Sequence, residues 1–320
     1  MQIGVFIALF QDRSFAEALD QAVAAGVDAV EIATGGYVGN AHVKPHALLK
    51  DEPARQALVD ELRQRNLAID ALSCHGNPLH PQQAIAAEHH AAFQDTVRLA
   101  ALLGVDTVIT FAGCPGDGPD ARYPNWVTCP WPTDFQRILE WQWDERVLPY
   151  WREQATFAQS QGVRVAIEPH PGFVVYNAET LLRLREECGP AIGVNFDPSH
   201  FFWQSIDPIV AARELRGTIY HVHAKDTRID PLNTARNGVL DTKSYSEVAE
   251  RAWVFRTVGY GHDQLFWKDL ISALRLAGYD RVLSIEHEDS HMSKIEGLRK
   301  AAAFLRECTI SEPPPVAWWT

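Results

Sequence analysis

Glu168, Asp197, His223 and Glu286 each close a short apolar, β-branched string. The strings are Val165-Ala166-Ile167-Glu168-Pro169, Gly193-Val194-Asn195-Phe196-Asp197, Ile219-Tyr220-His221-Val222-His223 and Val282-Leu283-Ser284-Ile285-Glu286. Three carboxylates and one imidazole form the donor set of a divalent cation. Brought to one point without a cation, buried carboxylates repel one another and are driven to protonate. An oxygen-rich set calls for one Mn²⁺ or Mg²⁺ ion first, then Co²⁺; Zn²⁺ stands behind these, because no thiolate and only one imidazole take part. On an octahedral ion, four protein ligands leave two positions for the vicinal oxygens of a hydroxy-ketone. The carbonyl is then polarised while the neighbouring C–H is deprotonated, which gives an enediolate.

Convergence requires that the four strings be neighbouring parallel strands. Short apolar runs lie near 3-9, 28-33, 67-74, 106-112, 163-168, 192-197, 218-223 and 281-287, each followed by a helical pattern. Eight β-α units predict a (β/α)₈ barrel, in which functional residues gather at the carboxyl ends of the strands. Gly26, Gly104, Gly162 and Gly278 are expected to cap helices in the left-handed conformation. A doubly wound open sheet is disfavoured, since no GxGxxG follows the first strand. The expected organisation is one barrel over 1-308 and a Pro/Trp tail over 309-320.

Two connections are long, about 113-143 after the fourth strand and 224-263 after the seventh, and are read as lids. The first carries Tyr123, Asn125, Trp126, Trp131, Trp141 and Trp143, flat apolar surface suited to the C–H face of a sugar, with Trp126 taken as a substrate contact. In the tail, Trp318 and Trp319 are expected to dock on this chain or on another subunit. The same aromatic surfaces suggest a homo-oligomer, dimer or tetramer.

The formal net charge of -12 argues against a nucleic-acid partner. Five cysteines without paired spacing read as reduced thiols. The amino terminus enters a strand with no signal-peptide pattern and no stretch is long enough to span a bilayer, so the expectation is a cytoplasmic protein with no membrane partner.

The strings Ile167-Glu168-Pro169-His170, Phe196-Asp197-Pro198-Ser199-His200, His221-Val222-His223-Ala224-Lys225-Asp226 and Ser284-Ile285-Glu286-His287-Glu288-Asp289 resemble the sugar phosphate isomerase/epimerase group of the xylose-isomerase-like TIM barrels. That group includes ketose 3-epimerases, inosose dehydratases and endonuclease IV. The resemblance implies that Glu168, Asp197, His223 and Glu286 are metal ligands. It further implies that Glu168 and Glu286 exchange the substrate proton on opposite faces, and that His200 contacts substrate or partners Asp197. His75 resembles a substrate-contacting histidine. Lys225, Arg228 and His262 are further substrate-binding candidates, whereas Asp226 reads as part of a solvated charge cluster. The extra histidines of a trinuclear zinc site have no counterpart in Ile109-Thr110-Phe111-Ala112-Gly113 or Thr227-Arg228-Ile229-Asp230.

The expected activity is therefore a metal-dependent isomerase or epimerase acting on a carbohydrate. The alternative is a lyase or dehydratase acting on a keto-sugar, a keto-inositol or a 3-keto-glycoside, toward which the Trp-rich lid tilts by suggesting a substrate with an extra ring. A third reading, a catalytically silent carbohydrate-binding subunit, has no use for a full set of ligands.

Overall fold

A computed structural model describes residues 1–312 and residue 319. Its centre is a closed barrel of parallel strands: β1 (Gln2–Phe6), β2 (Ala29–Ala33), β3 (Ala68–Ser73), β4 (Thr107–Thr110), β5 (Arg164–Ile167), β6 (Ile192–Phe196), β7 (Ile219–Ala224) and β10 (Val282–Ile285). The order round the barrel follows the chain, and β10 closes it between β7 and β1. All eight coincide with the runs read from the sequence, β1 starting one residue before its run and β7 ending one residue after. The remaining pair, β8 (Asp226–Ile229) and β9 (Trp253–Arg256), forms an antiparallel hairpin inside the second long connection. Among the described residues no helix is long and apolar enough to cross a membrane.

The strands read as near-continuous apolar runs because both faces are covered. Their outer faces pack on helices such as Phe15–Ala25, Gln83–Leu103, Leu148–Ser160 and Gln264–Leu276, with Phe93, Trp151 and Trp267 buried between the layers. The helices begin where the sequence supplies caps: Ser14 and Glu17 close a reciprocal capping box, and Asp263 accepts from the Phe266 amide. Gly26, Gly104, Gly162 and Gly278 all have positive φ, and at Gly26 and Gly104 this ends the helix and turns the chain into the next strand.

The inside of the barrel is largely polar. Glu31, Ser73, Asn195, His221, His223 and Ser284 are buried there, above an apolar plug of Ala71, Ile109, Ala166 and Tyr220. Gly193 makes the plug possible, since a Cβ there would lie 2.3 Å from the Tyr220 ring and 2.5 Å from the Thr218 carbonyl. The register slips between β2 and β3 at Val30/Glu31 and between β6 and β7 at Val194/Asn195. Such irregularities re-aim side chains, and here consecutive residues, Asp70 with Ala71 and Tyr220 with His221, both make contacts inside the barrel.

Both long connections are structured. In the first, residues 113–133 are irregular and lead into helix Asp134–Trp141 and a π-helical stretch, Gln142–Val147, so the following helix begins earlier than its sequence pattern suggested. The Gln142 amide donates to the carbonyls of Pro115, Gly116 and Asn125 and ties this segment to its own helix. Trp143 is buried in the main core and offers no surface to a ligand, contrary to its assignment to the lid face; Tyr123 and Trp131 are exposed. In the tail, Trp318 lies outside the described residues, and Trp319 is 68 % exposed.

Candidate metal centre and active site

Each predicted ligand stands where a strand runs out. The amide of Glu168 donates to the Thr110 carbonyl at 3.0 Å and that of Glu286 to the Ala224 carbonyl at 3.3 Å, the last rungs before the chain leaves the barrel. Pro169 after Glu168 and Pro198 after Asp197 then prevent β5 and β6 from continuing. Glu168, Asp197 and His223 each present a ligand atom within 4.8 Å of the others, all buried. The fourth candidate, Glu286, sends Oε2 to 3.1 Å from His223 Nδ1, the atom that Glu168 Oε2 approaches at 3.3 Å.

The remaining contacts fix these groups in distinct ways. Glu168 Oε2 accepts from Asn195 Nδ2 at 2.8 Å and pairs with His75 Nε2 at 2.9 Å. Its other oxygen faces His200 Nε2 at 3.5 Å, and that same nitrogen lies 3.3 Å from Asp197 Oδ2. Asp197 Oδ1 is satisfied by the Ser199 amide, whereas Oδ2 is buried with no hydrogen-bond partner. Lys225 Nζ reaches Glu286 at 3.1 Å and Glu288 at 2.5 Å while packing over the Phe255 ring.

Charge is concentrated and unequal. Burial would raise the pKa of Glu168, but the imidazoles of His75, His200 and His223 outweigh it and hold the carboxyl well below its ordinary range. Glu286 is lowered likewise, with burial overcome by Lys225 and His223. For Asp197 burial prevails, and despite His200 and Lys225 its pKa is raised. Burial disfavours a charged His223, yet Glu31 and Glu286 raise its pKa well above 6.5. A buried carboxylate with an orphaned oxygen, beside a second carboxylate and an imidazole, is a donor set that fits a divalent cation.

Sequence reasoning missed the residues beneath this cluster. Glu31, fully buried in β2, accepts from Ser73 and from Ser284 and pairs with His223 Nε2 at 3.0 Å. Its signal was a single charge inside the apolar run Ala29-Val30-Glu31-Ile32-Ala33; Asp70 in β3 carried the same mark, and Asn195 in β6 a lone amide in an apolar run. Asp226 also requires correction. It is fully buried rather than solvated, and its carboxylate accepts from the amides of Gly259, Gly261 and His262, from Trp267 Nε1 and from Thr227. His262, bonded to Asp226 at 2.7 Å and stacked on Phe202, belongs to this loop scaffold. Arg228 is exposed on the hairpin, its guanidinium 3.4 Å from the Gly261 carbonyl.

Beside the cluster opens a cleft of about 390 Å³ whose lining includes His170, His200, Trp126, Trp203, Tyr245 and Trp253. Trp203 and Trp253 stack with ring centroids 4.7 Å apart, and Trp126 packs edge-on against Tyr176. His170 lies 4.0 Å from the His200 ring, and burial drives its pKa down to about 3, so it stands neutral in the wall.

A family model described as xylose isomerase-like TIM barrel matches residues 19–308. The chain belongs to this family. Its relatives and the solved barrels of like fold include epimerases and dehydratases. The uncharacterized protein YfiH of Bacillus subtilis (strain 168) is 40% identical over 301 residues, 93% of this chain and 96% of that one. The probable 3-DHS dehydratase AsbF of Bacillus anthracis superposes with a TM-score of 0.66 at 17% identity, covering 96% and 99% of the two chains. The IolI protein, solved with a bound zinc atom, superposes with a TM-score of 0.65 at 17% identity over 96% and 98%. At such identity these two structures establish the shared barrel fold.

Proposed function

We propose that this xylose isomerase-like barrel is a divalent-metal-dependent sugar isomerase or epimerase that removes a proton beside a substrate carbonyl. The observation that carries the reading is that two carboxylates from separate strands, Glu168 after β5 and Glu286 after β10, reach the same nitrogen of His223 at 3.3 and 3.1 Å. Glu168, Asp197 and His223, with Glu286 beside them, would hold the cation, which when bound supplies the positive charge that draws electrons from the carbonyl.

The chain's own groups account for the proton. Glu168 is kept ionised by its imidazole neighbours, and with Oε2 tied to Asn195 and His75, Oε1, which faces only His200 Nε2 at 3.5 Å, is the oxygen that takes the proton. Glu286, beside the same nitrogen of His223, would first take up a proton from solvent and then deliver it to the opposite face of the substrate carbon. Lys225, buried against Glu286, offers a fixed positive charge to the oxygen where negative charge develops. His75 and His200 orient the substrate hydroxyls through nitrogens that already face the site.

The aromatic cleft favours a second reading. Its volume and its stacked Trp203–Trp253 wall suit a ring beyond the one that reacts, so the same abstraction could end in elimination, with the C–O bond breaking and a positioned acid protonating the departing oxygen. Incubating Mn²⁺-loaded protein with ketoses and 3-keto-glycosides in D₂O separates the two. Deuterium in a rearranged sugar supports isomerisation or epimerisation; release of an alcohol or water supports elimination. Glu168→Gln and Glu286→Gln are each expected to slow exchange at least about 100-fold, and wild-type exchange in either variant would remove that residue from the proton-transfer role.

A further inference from the structure

Apart from the mouth, a second hollow is bordered by donors that this chemistry does not use. Its volume is about 290 Å³, and it lies between the start of the helix Gln83–Leu103, the loop at 115–119, and Trp141 with Arg146. Its lining shares no residue with the aromatic cleft and includes no carboxylate, in a chain whose net charge is -12. The helix is 21 residues long, with no side-chain cap and no acidic residue in its first turn. Gln82, at the cap position, sends its Nε2 to the Arg122 carbonyl at 3.2 Å instead. The Gln83 and Ala84 amides, which a helix cannot satisfy internally, are thus left to an external acceptor.

His80 adds a donor of another kind. It is only 9 % exposed, and its Nδ1 accepts from the Gln82 amide at 3.0 Å. Burial and the neighbouring His89 lower its pKa and keep the ring neutral, so the single ring proton sits on Nε2. That nitrogen has no partner among the described residues, and the ring lines the hollow. Arg146, exposed at the opposite edge, makes no ion pair or hydrogen bond among the described residues. The loop comes close because residue 116 is glycine: a Cβ there would lie 2.1 Å from Ala121 Cβ and 3.1 Å from Pro81 Cγ. Gln142 Nε2 takes the Pro115 and Gly116 carbonyls, while the Gly116 and Gly118 amides have no acceptor among the described residues.

Backbone amides, an imidazole N–H and a guanidinium are satisfied together by an anion with several acceptor oxygens. We propose that this hollow binds a phosphate group, either free phosphate or the phosphate of a small phosphorylated metabolite. Bound there, the anion ties the start of the helix Gln83–Leu103 to the 115–119 loop and to Arg146. It thereby braces the connection that carries Trp126 to the cleft wall, and no bond of the reacting sugar is made or broken at it.

The test is calorimetric titration of the full chain with inorganic phosphate, at an ionic strength fixed with chloride. One saturable site per chain is expected. Two variants should each weaken it at least about tenfold. Arg146→Gln removes the charge at an exposed position. Gln83→Pro removes one amide and keeps the helix, because proline suits the first helical position and Gln82 before it is already extended; circular dichroism checks both folds. In the wild type, phosphate should also slow amide exchange at 83–86 and 116–118. No saturable binding by the wild type overturns the proposal, and so does binding that either variant leaves unchanged, as it would for phosphate held at the barrel mouth. Glycerol 3-phosphate identifies the source: tighter binding than inorganic phosphate makes the occupant a phosphorylated metabolite, and equal or weaker binding makes it free phosphate. Because neither sugar substrate nor turnover enters, the result stands apart from the isomerase reading.

Discussion

Loading a divalent cation at the barrel mouth is expected to expel one proton per ion at neutral pH. Both nitrogens of His223 face carboxylates, Nε2 at 3.0 Å from Glu31 and Nδ1 at 3.1 Å from Glu286 and 3.3 Å from Glu168, and each contact is favourable only with a proton between the two atoms. Burial works against the doubly protonated ring, but Glu31 and Glu286 overcome it and hold its pKa well above 6.5. A cation needs the lone pair of one ring nitrogen, so one proton must leave. The sign follows: below the raised pKa of His223, apparent affinity climbs with pH, about tenfold or about 1.4 kcal/mol per unit, and it levels off above that pKa. Calorimetric titration with Mn²⁺ in two buffers of different ionisation enthalpy counts the proton directly, and repeating it across neutral pH gives the slope. Tight binding with no proton released and no slope would refute the assignment of His223 as a ligand.

Three substitutions probe the scaffold and the cleft. Gly193→Ala drives a methyl into the Tyr220 ring and the Thr218 carbonyl and should lower stability by about 1–3 kcal/mol, measured by denaturant unfolding; an unchanged midpoint would mean that the plug is loose. Asp226→Asn halves the acceptor that gathers the Gly259, Gly261 and His262 amides and should cost about 2 kcal/mol, with faster amide exchange confined to 258–263 as its signature. Trp253→Ala removes half of the stacked cleft wall and should raise KM about tenfold, roughly 1.4 kcal/mol, for two-ring substrates while leaving one-ring ketoses unaffected. Equal loss for both would show that the cleft does not hold the second ring.

The barrel and its mouth were legible because their signals are local. A β-branched run ending in Glu-Pro or Asp-Pro states within five residues both that a strand stops and that a carboxylate stands there. Glu31 and Asp70 gave no comparable statement. A carboxylate in mid-strand is tolerable only when its partners arrive, and those of Glu31 come from Ser73, His223 and Ser284, up to 253 residues away. Asp226 was misread for the same reason: the amides that neutralise it lie more than thirty residues downstream, and next to Lys225 and Arg228 it looked like surface. The hairpin within 224–263 supplies Trp253 to the cleft, and length alone could not distinguish that structured wall from a lid.

The polar lining of the barrel separates two kinds of evolutionary pressure on each strand. Side chains facing outward are bound to their helices by close packing, so a change at Ile167 or Val194 must be matched by a neighbour across the layer. Their inward neighbours answer mainly to one another through directional bonds, as Asn195 does to Glu168 and His221. A lineage can therefore rewrite the reaction at alternate positions while the intervening positions keep the barrel closed. In such a protein, resemblance along the whole chain reports the sheath, and the chemistry must be read from the inward-facing residues.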